Sequence, residues 1–455
     1  MLAPLALAAL VANPCTYAGF ASRCGTLSVP ENRETRRGRS ISLRLVVIPP
    51  KNDGGREPIF AIAGGPGQSA VDAYRDEPSG DGFLTKAHDT RTIVMVDQRG
   101  SGGSSPMACD LYADARTAYA QLFPATEVAA CRRALAATHD LNAYGTDAAV
   151  DDLDAVRRAL GFRTIVLYGG SYGTDAALVY LRRHESSVAA EILAGVAPPS
   201  LLLPKPFPKG AQHALADLEA ACARDAKCSR NFPHFSTEFD AMLERARRGG
   251  IAVDGGSISF EVLADSMRHV MYDAYTASYL PEIVHRWSGG DATPLAKTVL
   301  LMTRGIAGSL AMGMNLSITC AESMPFITPT QAVRAAAGTF MGTSRYDAQR
   351  VACAAWDVRP VSASFLVPVR SRVPVLLLGG SDDPATPPEF GARMLAGLPN
   401  GRQILVPGAG HDITSACVER LEINFLAAYN ARSLDTTCLQ AQRRPPFATS
   451  MSGLL

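Results

Sequence analysis

The sequence predicts an α/β protein with a doubly wound, mostly parallel sheet that is interrupted by a mainly helical insertion. Three observations support this fold class. Up to residue 198, short apolar segments alternate with helical ones, as they do where crossover helices join parallel strands. Prolines then crowd positions 198–208, and helical periodicity with almost no strands follows to about residue 358. Finally, the strand pattern returns at 375–378 and 403–406.

The early strands are predicted where β-branched and apolar residues cluster, at 41–48, 58–63 and 92–96. The segment 15–29 is interpreted as short and turn-rich. An amphipathic helix is predicted over 146–160, because acidic residues crowd its first turns and two arginines lie near its end. A further strand is predicted at Glu191–Ala194, and a glycine-flanked pair of short strands is considered within the insertion, around Ile251–Phe260.

The chain is organised around Thr164–Tyr180, which reads TIVLYGGSYGTDAALVY. Its first five residues are typical of a buried strand, and the residues after the glycines favour a helix. Between them lies G-x-S-x-G, from Gly169 to Gly173, with Ser171 at its centre. Strand, glycine-flanked turn and helix are the context of a nucleophile elbow, which exposes the serine at the helix N-terminus. Ser171 is therefore the candidate nucleophile.

Two later loops offer partners for this serine. One late strand is followed by Asp382 and Asp383, and the next by His411 in a glycine-rich loop. The order serine, aspartate, histidine is that of α/β-hydrolases, in which histidine is the general base and aspartate orients it. We therefore predict the α/β-hydrolase fold and a triad of Ser171, Asp383 and His411, with Asp382 as the alternative acid.

An oxyanion hole is predicted beside the triad. Gly64-Gly65-Pro66-Gly67 follows an early strand, where a second backbone donor is expected in this fold. The first donor is the residue after the nucleophile. The amides of Gly65 and Tyr172 are therefore the predicted donors to the developing negative charge.

Four motifs together resemble the prolyl iminopeptidase and tripeptidyl aminopeptidase group of α/β-hydrolases. They are AGGPG at 63–67, DQRGSG at 97–102, GGSYGT at 169–174, and GSDDPATP at 380–387 followed by GAGH at 408–411. The paired cysteines and the C-terminal tail are most similar to the secreted tripeptidyl aminopeptidase branch. This resemblance implies that Asp383, in D-x-x-T-P, is the acid. Ala63 stands where prolyl iminopeptidases usually have histidine, which argues against strict proline specificity.

The resemblance implies release of residues or short peptides from free N-termini, with the insertion as a cap over the site. Such an enzyme needs an anion to hold the substrate ammonium group. Glu322, in the insertion, is the predicted substrate-binding residue. The predicted substrate is a peptide or a small acyl compound, and no cofactor or metal is expected.

Composition indicates the compartment and excludes some partners. The sequence has 44 Lys plus Arg and 43 Asp plus Glu, so we expect no excess of positive charge that would attract nucleic acid. Ten cysteines, an even number, indicate disulfides and hence a secreted or periplasmic protein. Proximity along the chain suggests pairing in sequence order: 15–24, 109–131, 222–228, 320–353 and 417–438.

The apolar run at 2–12 has the length of a signal peptide and is too short for a stable membrane span. It lacks a basic segment before it, so a clipped or atypical export signal is favoured, and a frayed N-terminal helix is the alternative. The predicted organisation is a leader at 1–14, a first core part at 15–198, a helical cap at 199–370, and a second core part with a C-terminal tail at 371–455. The oligomeric state is left open.

Two other functions remain open at this level. A carboxylesterase or lipase uses the same triad, so the triad does not exclude it. A non-catalytic, hydrolase-like binding protein is the alternative of another class. It usually lacks a triad member, and here all three residue types are present.

Overall fold

The structure, a computed structural model, describes residues 10–75 and 82–453 of the 455-residue chain. In these residues the strands β1 to β11 are Leu10–Tyr17, Phe20–Pro30, Ser40–Ile48, Ile59–Ile62, Ile93–Val96, Ile165–Gly170, Val188–Ala194, Ile251–Val253, Gly256–Ile258, Val375–Gly380 and Gly401–Val406. The helices α1 to α18 are Ala70–Ala73, Phe83–Ala87, Ala115–Ala120, Ala125–Ala136, Thr146–Ala159, Tyr172–His184, Phe207–Arg224, Ala226–Asn231, Phe235–Arg247, Phe260–Val270, Ala274–Ala277, Leu280–Ser288, Thr293–Gly308, Met312–Ile318, Pro329–Ala336, Ser344–Trp356, Pro388–Met394 and Ala416–Ala428.

One large sheet contains nine strands in the order β1-β2-β3-β5-β4-β6-β7-β10-β11. From β5 to β11 all neighbouring strands are parallel. β1, β2 and β3 extend the other edge through antiparallel pairs. Since parallel neighbours require crossover connections, this topology confirms the predicted α/β sheet.

The parallel strands are buried on both faces, which explains their almost uninterrupted apolar sequences. All four residues of β4 and of β5 are buried. Successive side chains of a strand point to opposite faces, so Val94 and Met95 enter different hydrophobic cores. Helices cover both faces and leave the carboxyl ends of the strands for the site.

The N-terminal region corrects the sequence interpretation. The segment 15–29 is mostly strand, because β1 and β2 form a hairpin that is closed by a turn at Ala18 and Gly19. Residues 10–14, which the sequence assigned to the leader, also belong to β1; residues 1–9 lie outside the described part. The hairpin forms a partly exposed sheet edge, so its sequence lacks the continuous apolar run of a central strand.

A mainly helical insertion lies between β7 and β10 and contains the helices α7 to α16. It also contains the antiparallel pair β8 and β9, in the region where the sequence indicated two short strands. The insertion contacts the loops at the carboxyl ends of the core strands. The Ala311 amide donates to the Gly67 carbonyl at 2.9 Å, and the Asp412 amide donates to the Tyr272 carbonyl at 2.8 Å. The helices are therefore held directly over the predicted site.

Five disulfides join Cys15 to Cys24, Cys109 to Cys131, Cys222 to Cys228, Cys320 to Cys353, and Cys417 to Cys438. These are the predicted pairs, and they account for all ten cysteines of the sequence. Disulfides persist in oxidising compartments, so five of them fit an extracellular protein.

No single helix among residues 10–75 and 82–453 has the length and apolarity needed to cross a membrane. One pair passes that test of length and composition when its two parts are taken together. It consists of Thr293–Gly308 and Met312–Phe326, with a bend of 79° between them.

Candidate active site

Ser171 occupies a sharp turn between β6 and α6. Its backbone has φ 55° and ψ −124°, a conformation that is strained for a residue with a side chain. The Ser171 amide donates to the Ala194 carbonyl at the end of β7, at 2.8 Å. The hydroxyl-bearing residue is therefore fixed at the N-terminus of a 13-residue helix, where backbone amides favour negative charge.

The glycines beside Ser171 are required by close packing. A Cβ atom added to Gly173 would lie 2.3 Å from the Ile62 carbonyl oxygen of β4, and one added to Gly169 would lie 2.5 Å from the Gly173 oxygen. Both distances are far below normal contact. The strand and the helix therefore approach so closely that the turn tolerates only G-x-S-x-G, as the sequence motif indicated.

His411 and Asp383 form a hydrogen-bonded pair at the same edge of the sheet. The His411 Nδ1 lies 2.8 Å from the Asp383 Oδ2. Asp383 is 1% exposed, and its other oxygen accepts bonds from the amides of Ala385 and Thr386, each at 2.8 Å. The carboxylate is thus rigidly held. Because it contacts Nδ1 of His411, the Nε2 atom of the same ring is available for another partner.

Asp382, the alternative acid, makes different contacts. It accepts a hydrogen bond from Ser381 at 2.6 Å and forms an ion pair with Arg444. It also belongs to a trio with His213 and Asp217 whose ligand atoms lie within 4.8 Å of one another. Arg444 already supplies a cation there. Geometry therefore favours Asp383 as the partner of the histidine.

Electrostatics tune the pair for proton transfer. Burial alone would lower the pKa of His411, but the charge of Asp383 and its hydrogen bond raise it above the ordinary value of 6.5. Burial alone would raise the pKa of Asp383, but the charge and hydrogen bond of His411, with bonds from Thr386, hold it below its ordinary value. Each partner therefore favours the charged form of the other, so the carboxylate stabilises the imidazolium.

Ser171 and His411 line one cavity of about 580 Å³. The His411 ring also packs close to Gly195, where an added Cβ atom would lie 2.9 Å from the ring carbon Cε1. No hydrogen bond joins Ser171 to His411 among the described residues. Such bonds often tighten only when substrate binds, so this geometry is compatible with a general base.

The raised pKa of His411 predicts the pH dependence of activity. A general base works only when neutral, so kcat/KM should fall as pH drops through the pKa of His411 in the free enzyme. Because that pKa is raised, the midpoint of the acid limb is expected above 6.5. The pH profile of kcat/KM on a neutral substrate measures it, and a midpoint well below 6.5 would contradict the assignment.

The proposed oxyanion donors lie on two sides of Ser171. Tyr172 is the first residue of α6, so its amide is free of helical hydrogen bonding. Gly65 follows Gly64, where an added Cβ atom would lie 3.1 Å from the Cβ of Ser171. The glycine turn thus passes directly beside the candidate nucleophile, and the two amides remain the predicted donors.

Glu322 does not line this cavity, which corrects its prediction as the ammonium-binding residue. It is 3% exposed, and its carboxylate accepts bonds from the amide and the hydroxyl of Thr146, each at 2.7 Å. The Thr146 hydroxyl also lies 2.8 Å from the Tyr172 hydroxyl. Glu322 therefore stabilises the N-terminus of α5 and braces the start of α6. Burial raises the pKa of Glu322 to about 7.

Sequence reasoning missed the carboxylates that do line the cavity. They are Asp273, Asp412, Glu419 and Glu422, and none of the described lining residues is Lys or Arg. Glu419 forms an ion pair with Lys86 from outside this lining. Glu419 and Glu422 lie one turn of α18 apart, a spacing that could have drawn attention to them. These four carboxylates share the cavity lining with Ser171.

The DQRGSG motif proves to be a support for the site. The buried Asp97 accepts bonds from the Ser69 hydroxyl at 2.7 Å and from the Val71 amide at 3.1 Å, which fixes the segment after the glycine turn. Arg99 is fully buried and forms a bidentate ion pair with Asp152 of α5. The motif therefore anchors both the oxyanion turn and the helix that Glu322 caps.

The fold, the elbow serine and the histidine–aspartate pair define a serine hydrolase of the α/β class. Residues 58–223 match the family described as alpha/beta hydrolase fold, and residues 338–438 match the family described as TAP-like protein. Both matches agree with the α/β-hydrolase fold of the structure. The resemblance to the prolyl iminopeptidase and tripeptidyl aminopeptidase group is confirmed by these matches and by two curated relatives.

One relative is Serine protease Hip1 of Mycobacterium tuberculosis, 25% identical over 463 residues that cover 91% of this chain and 86% of the relative. Another is Proline iminopeptidase of Neisseria gonorrhoeae, 30% identical over 139 residues that cover 30% of this chain and 32% of the relative. Among solved structures, a proline iminopeptidase-related protein from Thermus thermophilus covers 90% of this chain and all of its own length, with 17% identity and a TM-score of 0.40.

Proposed function

We propose that this chain is an exported serine aminopeptidase that releases residues or short peptides from free N-termini. The observation that carries the proposal is the hydrogen-bonded pair of His411 and Asp383, which shares a carboxylate-lined cavity with the elbow residue Ser171. The reaction would pass through an acyl-enzyme on that serine.

We infer the steps from the roles that these residue types have in serine hydrolases. His411 removes the proton of Ser171 as the serine oxygen attacks the scissile carbonyl, and Asp383 stabilises the imidazolium that forms. The amides of Gly65 and Tyr172 stabilise the oxyanion of the tetrahedral intermediate. His411 then protonates the leaving amine, and a water molecule, activated by the same imidazole, hydrolyses the acyl-enzyme.

The charge of the cavity supports a free amine as the recognised group. A substrate N-terminus is an ammonium ion, which requires a carboxylate partner once it leaves water. Asp273, Asp412 and Glu422 share the cavity lining with Ser171, and the described lining contains no lysine or arginine. The relatives named as a serine protease and a proline iminopeptidase also favour peptide substrates.

The export component rests on the cysteines. All ten are paired in five disulfides, which would be reduced in most cytosols. A secreted or periplasmic location is therefore proposed, in agreement with the apolar run near the N-terminus of the sequence.

A panel of fluorogenic aminoacyl, dipeptidyl and tripeptidyl arylamides tests the function, with N-acetylated counterparts and a short acyl ester. We expect free-amine substrates to exceed their acetylated forms in kcat/KM by roughly tenfold or more, the effect of one charge-assisted hydrogen bond.

Glu422→Gln, inside the cavity, should reduce this ratio. The matched variant Glu322→Gln, outside it, should leave the ratio unchanged. Turnover of the ester alone would indicate an esterase. If no compound were turned over, a binding protein would be indicated.

A further inference from the structure

A second cavity, of about 70 Å³, lies between the insertion and the core residues Tyr112, Leu122 and Phe123. One wall is apolar and contains Leu122, Phe123, Met302, Ile306, Leu310 and Met312. The polar part of the lining contains Asp265, His269, Asn315 and Arg345. Since about 10–15 Å³ of such space holds one water molecule, the cavity accommodates a group of a few non-hydrogen atoms.

This cavity adjoins the catalytic machinery on two sides. The Asn315 side chain donates to the Pro66 carbonyl at 3.1 Å, and a Leu310 methyl group lies 3.0 Å from the position of a Cβ atom on Gly65. On the other side the His269 and Tyr272 rings are 4.9 Å apart, and Tyr272 is 4.9 Å from the His411 ring. The cavity is therefore separated from the glycine turn by Leu310 and Asn315, and from His411 by the ring of Tyr272.

Arg345 is the unsatisfied group in the polar part of the lining. Its Nε and Nη1 atoms are buried and have no hydrogen-bond partner among the described residues. The nearest carboxylate oxygen, on Asp265, is 3.6 Å from Nε, which is too long for a hydrogen bond. The guanidinium instead lies 4.3 Å from the centre of the Phe123 ring. A buried charged donor without an acceptor is costly, so the site requires an acceptor from elsewhere.

The neighbouring groups do not meet this need. Asp265 is occupied by Arg268, whose Nε and Nη2 donate to it at 3.1 and 3.0 Å. Glu261, near the same guanidinium, accepts a bond from the Leu122 amide at 2.9 Å. Burial, with Arg268 nearby, lowers the pKa of His269 to about 3, so this ring is neutral and adds no charge. Arg345 therefore keeps two unpaired donors, and its side chain lines the cavity.

We propose that this cavity is a specificity subsite for a carboxylate in the acyl part of the substrate, which Arg345 binds. This subsite rests on the proposed aminopeptidase function. It defines the substrate class of that function as peptides that carry an aspartate or glutamate side chain among the residues released. The guanidinium is a permanent cation, and a carboxylate oxygen accepts a hydrogen bond from one of its unpaired donors, Nε or Nη1. The apolar wall packs against the methylene groups of the same side chain.

The test compares isosteric substrates within one enzyme preparation. Tripeptidyl arylamides that carry glutamate or glutamine, placed in turn at each released position, are assayed with wild type, Arg345→Gln and the control Arg350→Gln. Arg350 is exposed on the same helix, α16. At one position wild type and the control should favour glutamate by roughly 10- to 100-fold in kcat/KM, and Arg345→Gln should reduce the ratio to about 1. Because both substrates are measured with the same enzyme preparation, the ratio of their kcat/KM values does not depend on the fraction of protein that is folded.

Two results would overturn the subsite. In the first, the wild-type enzyme prefers glutamine or shows no preference at every released position. In the second, Arg345→Gln keeps the full wild-type preference for glutamate. If no arylamide is cleaved at all, the proposed function fails, and calorimetry with glutarate decides the subsite separately. Binding of glutarate by wild type and Arg350→Gln but not by Arg345→Gln would support the carboxylate site. Equal or absent binding in all three proteins would refute it.

Discussion

Replacing Ser171 by alanine is expected to lower kcat by about 10⁶ while the protein remains folded. The serine is the group that forms the covalent bond to substrate, so nothing else in the cavity replaces it. Alanine fits the turn sterically, because the crowded positions of the elbow are the glycines at 169 and 173. Steady-state kinetics on the best arylamide measures the loss, and thermal unfolding verifies the fold.

Ser288→Ala is a suitable control for that experiment. Ser288 is exposed at the end of α12 in the insertion, so its replacement should leave kcat unchanged. Ser171→Ala protein that keeps more than about a hundredth of the wild-type rate would show that another residue is the nucleophile. Residual activity from contaminating hydrolases is recognised by its different KM.

Replacing Asp383 by asparagine is expected to lower kcat by about 10⁴, because the amide no longer stabilises the imidazolium or selects the required tautomer of His411. The same change moves the acid limb of the pH profile. The charge of Asp383 is what raises the pKa of His411 against the effect of burial. Without that charge the pKa falls, so the residual activity should persist to lower pH than in wild type.

Asp382, the residue before Asp383, provides a matched control for this substitution. Asp382→Asn removes the same charge one position earlier, but it disrupts only the pair with Arg444 and the bond from Ser381. Neither contact involves His411 or Ser171, so we expect kcat to change by about tenfold or less, a difference of about 1.4 kcal/mol in activation free energy. If instead Asp382→Asn caused the larger loss, the alternative acid of the sequence analysis would be the correct one.

Much of the fold and of the candidate site was accessible from sequence because its signals are local. Buried parallel strands are apolar on both faces, so β4, β5, β6 and β10 were predicted from short windows. The elbow requires small residues within five positions, which makes Ser171 conspicuous. Asp383 and His411 follow strands directly, so the order of elements placed them at one edge of the sheet.

What could not be predicted depends on contacts between distant parts of the chain. Glu322 and Thr146 are 176 positions apart, and no local pattern indicates that the first caps the helix of the second. The carboxylates of α18 reach the cavity only through the packing of that helix beside the carboxyl ends of the strands. The β1–β2 hairpin was missed for another reason, since a partly exposed edge has a weak hydrophobic alternation.

Covalent labelling tests most directly whether Ser171 becomes an activated nucleophile beside His411 and Asp383. The wild-type protein, treated with a fluorophosphonate at neutral pH, should gain one adduct, located on Ser171 by peptide mass spectrometry. His411→Ala and Asp383→Asn should label far more slowly, and Asp382→Asn at close to the wild-type rate. An adduct on another serine, or equal labelling rates in all four proteins, would contradict the account.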